Sequence, residues 1–161
     1  MTESVMAVKD IKLHTSPLYY ANFEATFEQV STVCAEIHAL ALQRGDVEWA
    51  VFIDLGLTEA LTNIIRHGYG PDREGRVILT CVEFVNLWLF TLMDCGISIP
   101  QAMLRQASDS IFNFDSNDLQ SIPEGGMGLA LIRACFDSVS YQVYQDGNYL
   151  LLTKHFSQSE V

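Results

Sequence analysis

Residues 57–70 of the chain, LTEALTNIIRHGYG, place a group of polar side chains along one flank of an apolar helix. At about 100° per residue, four positions fall on that flank within about 80° of one another: Gly56, Glu59, Asn63 and His67. A carboxylate there can accept a proton from a hydroxyl or water, and an amide oxygen is a hard ligand suited to Mg²⁺. Taken alone, Glu59 and Asn63 also fit an ordinary exposed pair on a helix surface, so both interpretations stay open.

The helix that carries this flank is predicted to begin after Asp46, which can cap it, and to run to about His67. We expect it to end at Gly68, where a left-handed C-terminal residue costs least. Its apolar face falls on Ala50, Ile53, Leu57, Ala60, Leu61 and Ile64. An earlier helix, which stops near Gly45, has an apolar stripe of Val30, Val33, Cys34, Ile37 and Ala41.

Strand-like segments surround these helices. The predicted strands cover residues 19–27, 76–84, 87–94, 139–145 and 149–156. The second and third form a hairpin, the last two form a hairpin around Asp146-Gly147, and the apolar run LWLFTLM indicates a central strand covered on both faces, or nearly so. The order strand, helix, helix, hairpin, loop, helix, hairpin predicts an α+β two-layer sandwich, with a mixed, mostly antiparallel sheet and helices on one face.

The length of 161 residues predicts a single domain, with a core over about residues 20–156. Residues 97–124 lack strong periodicity and contain Pro100 and Pro123, which is typical of a functional loop such as a lid. No secretory signal begins the chain, and no apolar run approaches the ~18 residues of a membrane span, so we expect a cytoplasmic protein.

The charge of the chain is strongly negative, with 20 acidic against 9 basic residues and a formal net charge of −11. Such a protein repels phosphate backbones and anionic lipid, which disfavours direct nucleic-acid or membrane binding and favours a basic protein partner. The four cysteines are scattered without a CxxC pair, so we expect buried or partly buried thiols rather than a zinc site or a disulfide framework.

Two further motifs could contact a ligand. Asp94 ends the apolar strand, and Gly96 would let a flat ring approach the backbone there, although Asp-x-Gly is also common in ordinary turns. Residues 125–129, GGMGL, open the next predicted helix, and uncovered amides at the positive end of a helix can bind an anion. A glycine-rich turn is an equally simple explanation of that segment. Neither the Walker nor the Rossmann spacing is present.

The three motifs, in this order, resemble the N box, G1 box and G2 box of the Bergerat-fold ATPases. Residues 57–70 are similar to the version E-x-x-x-N-x-x-x-H-G-Y of the small anti-sigma-factor serine kinases, the RsbW and SpoIIAB type, and residues 125–132, GGMGLALI, are similar to their second glycine box. The resemblance covers about residues 20–156.

This resemblance implies an ATP site in which Asp94 binds the adenine amino group and Gly96 gives the ring room. It implies that Asn63 ligates Mg²⁺ and that Glu59 is the general base. The other implied nucleotide-binding positions are His67, Gly125, Gly126, Met127, Gly128 and Leu129.

The function implied by the resemblance is an ATP-dependent protein serine kinase that phosphorylates an anti-sigma-factor antagonist of the STAS class and also binds a sigma factor, as a homodimer. The alternative is a nucleotide-sensing binding module with little or no kinase activity. A detached histidine-kinase catalytic domain is less favoured, because no phosphoacceptor helix precedes the domain and residues 111–114, IFNF, are explained as an apolar anchor of the lid.

Two positions depart from the family pattern. The G1 box usually continues to a further glycine, but Ser98 stands there, and a left-handed backbone at that residue would cost about 1–2 kcal/mol. A threonine often follows the glycine of the last hairpin, but Asn148 follows Gly147 here. We therefore expect weaker nucleotide binding and leave the second contact near the adenine in doubt.

Overall fold

A computed structural model describes residues 16–104 and 127–157 of the chain. The longer helices of this part are α1 (Phe27–Arg44), α2 (Val47–Asn63) and α3 (Met127–Cys135), and residues 101–104 are also helical. The strands are β1 (Tyr19–Glu24), β2 (Arg76–Glu83), β3 (Leu87–Asp94), β4 (Ser138–Tyr144) and β5 (Gly147–His155). The predicted element order and the α+β fold class are confirmed.

The strands form one sheet with the order β1-β2-β3-β5-β4. Every pairing among the described strands is antiparallel, so the sheet is simpler than the mixed one that we predicted. The register of β3 with β5 places Asp94 directly opposite Asn148. Strand β3 is therefore central, and its last residue faces a polar side chain of the neighbouring strand.

One face of the sheet packs under the helices. Its buried side chains alternate along the strands, as the pleat requires: Val77, Leu79, Cys81, Trp88, Phe90, Leu92, Leu150 and Leu152. The apolar stripe predicted for α1 is buried in full. On the opposite face of β3, Leu89 is buried and Thr91 and Met93 are half-buried, so the prediction that this strand is covered on both faces, or nearly so, is confirmed. Among the described helices, none is long and apolar enough to cross a membrane.

The two ends of α2 differ in how well the sequence predicted them. The Asp46 carboxylate accepts a hydrogen bond of 2.7 Å from the Trp49 N–H, which confirms the predicted cap. The predicted end at Gly68 is wrong. The α-helix ends at Asn63, a π-helical turn continues over Ile64–Tyr69, and the positive φ of 71° falls on Gly70. The wider π turn lets the chain run two residues further before it needs a left-handed residue.

Two smaller predictions also need correction. The turn between β4 and β5 consists of Gln145 and Asp146, while Gly147 already pairs with Tyr144 and has a φ of 151°. Three of the cysteines are buried as expected, but Cys95 is exposed beside the end of β3.

Candidate functional site

The end of α2 and the start of α3 lie close together, with the side-chain ends of Glu59 and Asn63 directed at Gly128. A Cβ added at Gly128 would lie 2.5 Å from Glu59 Oε1 and 2.8 Å from Asn63 Nδ2. Both polar side chains are half-buried and therefore remain accessible from solvent. The Glu59–Asn63 pair is thus not a surface pair remote from other elements, because it faces the helix opened by the glycine-rich segment.

The end of β3 packs directly against the π turn. A Cβ added at Gly96 would lie 2.6 Å from the carbonyl carbon and oxygen of Gly68, so only glycine permits this approach. The Ile97 N–H donates a hydrogen bond of 2.7 Å to the Gly68 carbonyl. This backbone contact joins the Asp94-x-Gly96 segment to the helix that carries Glu59 and Asn63.

Tyr69 stabilises the same junction, and the sequence analysis did not identify it. Its hydroxyl accepts a hydrogen bond of 2.9 Å from the Cys95 N–H and donates one of 2.8 Å to the Arg76 carbonyl. Burial, and to a smaller extent the nearby Asp94 carboxylate, raises the pKa of this hydroxyl, so it stays protonated and can keep donating. Tyr69 thereby ties the π turn to the start of β2 and the end of β3.

Asp94 is a buried carboxylate, and one of its two oxygens already accepts two hydrogen bonds. It is 5% exposed, and its Oδ1 accepts hydrogen bonds from the Gly96 N–H at 2.8 Å and from Asn148 Nδ2 at 3.0 Å. Within the described residues, Oδ2 receives no hydrogen bond. Burial raises the pKa of Asp94, and the two donors offset part of that shift. A buried acceptor with a free oxygen is suited to a ligand that brings its own N–H donor.

A cavity of about 170 Å³ opens beside this carboxylate. Apolar side chains make up most of its wall: Ala60, Ile64, Ile97, Ile99, Pro100, Met103, Leu129, Ile132 and Leu150. Its polar side chains are those of Asn63, His67, Asp94, Ser98 and Tyr141. An apolar pocket with a few converging polar groups is the usual form of a small-molecule site. Here the buried carboxylate and apolar walls suit a planar ring that bears an amine.

The predicted site residues are therefore largely gathered together. Asn63, exposed His67, Asp94 and buried Leu129 line the cavity, while Glu59 lies one turn earlier on α2, beside Gly128. About 13 Å of helix separates Glu59 from the Gly68 end, which leaves room for a ligand whose reactive end is remote from its ring. Met127 begins α3, and Gly125, Gly126 and the predicted lid beyond residue 104 lie outside the described residues.

The expected strain at Ser98 is absent. No residue other than glycine has a positive φ in the described part of the chain, so Ser98 adopts an ordinary backbone conformation. Its hydroxyl donates a hydrogen bond of 2.7 Å to Asn148 Oδ1. The physical reason for expecting weaker nucleotide binding at this position is therefore removed.

The donor set near Gly128 also fits a magnesium ion. The Asn63 amide oxygen is a hard oxygen ligand, and Mg²⁺ needs few protein ligands when phosphates and waters supply the rest. No group of three or more His, Cys, Asp or Glu side chains that could hold a metal occurs among the described residues. Any magnesium bound here would thus depend on a ligand for most of its coordination.

The contact between Gly96 and Gly68 gives a direct test of the site's construction. Gly96→Ala should lower the free energy of unfolding by about 1–3 kcal/mol, because the added methyl group overlaps backbone atoms that cannot rotate away. Thermal or urea unfolding measures this loss. Gly68→Ala is the matched control, since its Cβ would meet nothing closer than 3.6 Å. Equal stability losses in the two variants would contradict this packing.

Comparison with known proteins agrees with this geometry. The family model described as a histidine kinase-like ATPase domain matches residues 23–154. The serine-protein kinase RsbW of Bacillus cereus (strain AH820) is 28% identical over 108 residues, which cover 66% of this chain and 64% of that protein. The anti-sigma F factor of Bacillus licheniformis is 29% identical over 105 residues, which cover 65% of this chain and 68% of that protein.

Among solved structures, the catalytic domain of the histidine kinase ThkA is similar with a TM-score of 0.51. It is 12% identical, and the match covers 86% of this chain and 96% of that domain. At this level of identity the likeness concerns the fold alone. The alignment with the RsbW relative spans a little less than two thirds of that relative's length.

Proposed function

This chain belongs to the histidine kinase-like ATPase domain family, and from that premise we propose that it is an ATP-dependent protein serine kinase. Its proposed substrate is a serine of a STAS-type anti-sigma-factor antagonist, and its second proposed partner is a sigma factor. The relative named as a serine-protein kinase supports the kinase activity, and the relative named as an anti-sigma F factor supports the sigma factor as a partner. The STAS antagonist is implied by the family resemblance of the sequence motifs.

The observation that carries the proposal is the convergence of three segments that are distant in sequence. A buried carboxylate, Asp94, stands at one end of the cavity, and Glu59 and Asn63 stand beside Gly128 at the other. We assign the adenine ring of ATP to the Asp94 end of the cavity, with Gly96 close to the ring. The triphosphate would then extend along α2 towards the start of α3, where residues 125–129 would meet it with backbone N–H groups.

Each residue has a defined part in the proposed transfer. Asn63 would hold Mg²⁺ through its amide oxygen, and the ion would supply charge neutralisation on the phosphates. Glu59 would orient the partner's serine hydroxyl and accept its proton as the oxygen attacks the terminal phosphorus. His67 would contact the nucleotide from the exposed side, and the segment over residues 97–124 would exclude water from the reacting groups.

The acidic surface fits the proposed protein partners. A chain with a formal charge of −11 attracts a basic docking surface, although the attraction is screened beyond about 8 Å at physiological salt. We include a homodimer in the proposal, as the family resemblance implies. Sedimentation of the purified chain with and without ATP would measure that state.

A phosphotransfer assay tests the proposed function. The protein, labelled ATP, Mg²⁺ and a purified STAS antagonist are incubated, and the labelled residue is identified by mass spectrometry. We expect label on one serine of the antagonist, and none on an antagonist in which that serine is replaced by alanine. ATP binding without transfer would instead support the nucleotide-sensing module, and absence of ATP binding at millimolar concentration would contradict both functions.

A further inference from the structure

Asn148 donates a hydrogen bond to Asp94, the carboxylate that we assign to the adenine of ATP. We propose that Asn148, oriented by Ser98, is a positioning residue that holds Asp94 ready for the amino group of the purine. This inference rests on the proposed ATP site and goes beyond it, because it assigns the discrimination between purines to residues that depart from the family pattern.

A chain of hydrogen bonds leads from the cavity wall to the carboxylate. The Ser98 hydroxyl donates to Asn148 Oδ1 at 2.7 Å, and Asn148 Nδ2 donates to Asp94 Oδ1 at 3.0 Å and to the Gly96 carbonyl at 2.9 Å. The Tyr141 hydroxyl accepts a hydrogen bond of 3.0 Å from the N–H of Ile99, the residue that follows Ser98. Asn148 is only 3% exposed, so water does not replace these partners.

The chemistry of these groups fixes the direction of every bond. The Nδ2 group of Asn148 must point at Asp94 and the Gly96 carbonyl, because both partners can only accept. A flipped amide would set its oxygen against these two acceptors. With the amide fixed, its oxygen needs a donor, which only the Ser98 hydroxyl supplies among the described residues.

As a consequence, the two carboxylate oxygens of Asp94 have different roles. Asn148 and the Gly96 N–H both donate to Oδ1 of Asp94, which orients the group and leaves Oδ2 for the ligand. The two departures from the family pattern, Ser98 and Asn148, touch each other and serve one network. The Ser98 hydroxyl thus acts on Asp94 only through the amide of Asn148.

The test compares ATP with inosine triphosphate, whose ring carries an oxygen in place of the amino group. Titration calorimetry with Mg²⁺ should show that Asn148→Ala lowers affinity for ATP about tenfold, the value of one hydrogen bond to a charged group, and leaves affinity for inosine triphosphate nearly unchanged. The ratio of the affinity for ATP to the affinity for inosine triphosphate should therefore fall about tenfold. Asn148→Thr, which restores a donor, should recover part of the ratio.

The Ser98→Ala variant separates positioning from general damage. It should reduce the ratio in the wild-type background but not in the Asn148→Ala background, since the hydroxyl acts only through the amide. Tyr149→Phe is the control, because its hydroxyl donates to Asp146 on the exposed turn and forms no hydrogen bond with Asp94, Ser98 or Asn148 among the described residues, so the ratio should stay unchanged. Equal losses for both nucleotides in Asn148→Ala would overturn the inference while leaving the ATP site intact. Failure of the unmodified protein to bind ATP would instead overturn the proposed function.

Discussion

Glu59→Gln is expected to bind ATP with unchanged affinity and to transfer phosphate to the antagonist at least about a hundredfold more slowly. General-base help is typically worth 10²–10⁴ in rate, and the amide cannot accept the serine proton. The side chain of glutamine has the same size, so the close approach to Gly128 is preserved. Single-turnover transfer at saturating ATP measures the chemical step, and calorimetry measures the affinity.

The matched control for this substitution is Glu48→Gln. Glu48 is an exposed acid in the first turn of the same helix, about 16 Å from Glu59 along its axis, and its replacement removes the same charge. We expect unchanged transfer from this control. A transfer rate in Glu59→Gln equal to that of the control would remove the general-base assignment, whereas a loss of ATP affinity would indicate that Glu59 acts in binding.

Apolar periodicity predicted the framework of the molecule because burial on one face follows directly from side-chain spacing. The stripe from Val30 to Ala41 is buried, and the bounds of β3 agree with the prediction, since each pattern extends over several turns or pleats. The π turn over Ile64–Tyr69 was not predictable in this way. One extra residue per turn changes the register without leaving a periodic signal, so Gly70 rather than Gly68 takes the positive φ.

The candidate site was predictable only where a motif is short and local. Glu59 and Asn63 share a helix face, and their spacing allowed a common ligand but fitted an ordinary surface pair as well. The pairing of Ser98 with Asn148 spans fifty residues and depends on the register of β3 with β5. The turn at Gln145 and Asp146 fixes only the register of β4 with β5, whereas β3 and β5 are far apart in the chain and no turn between them sets their register.

Asp94→Asn should reduce ATP affinity about 10- to 150-fold, which corresponds to the 1.5–3 kcal/mol of a hydrogen bond to a charged acceptor. The amide oxygen can still accept from the Gly96 N–H and from Asn148, so the pocket keeps its shape. The amide nitrogen would take the place of the free Oδ2. It would then face the amino group of the adenine, and two N–H donors cannot form a hydrogen bond with each other. Calorimetry with ATP measures the loss. Asp72→Asn, at an exposed position in the loop before β2, removes the same charge and should leave the affinity unchanged.

The same substitution should raise the stability of the ligand-free protein at pH 7. Burial raises the pKa of Asp94 above its value in the unfolded chain, so the ionised carboxylate disfavours folding, and a neutral amide avoids that cost. The advantage of Asp94→Asn should shrink as the pH falls through the folded-state pKa and vanish below about pH 4, where the acid is neutral in both states. The hydroxyls of Tyr69 and Tyr141 face this carboxylate and stay neutral throughout that range, because burial raises the pKa of each. Thermal unfolding at pH 7 and pH 4, with Asp72→Asn as the reference, tests the gain in stability at pH 7 and its loss at pH 4. A variant less stable than the reference at pH 7 would show that the hydrogen bonds to Oδ1 outweigh desolvation, and that this acid stabilises the fold as well as the ligand.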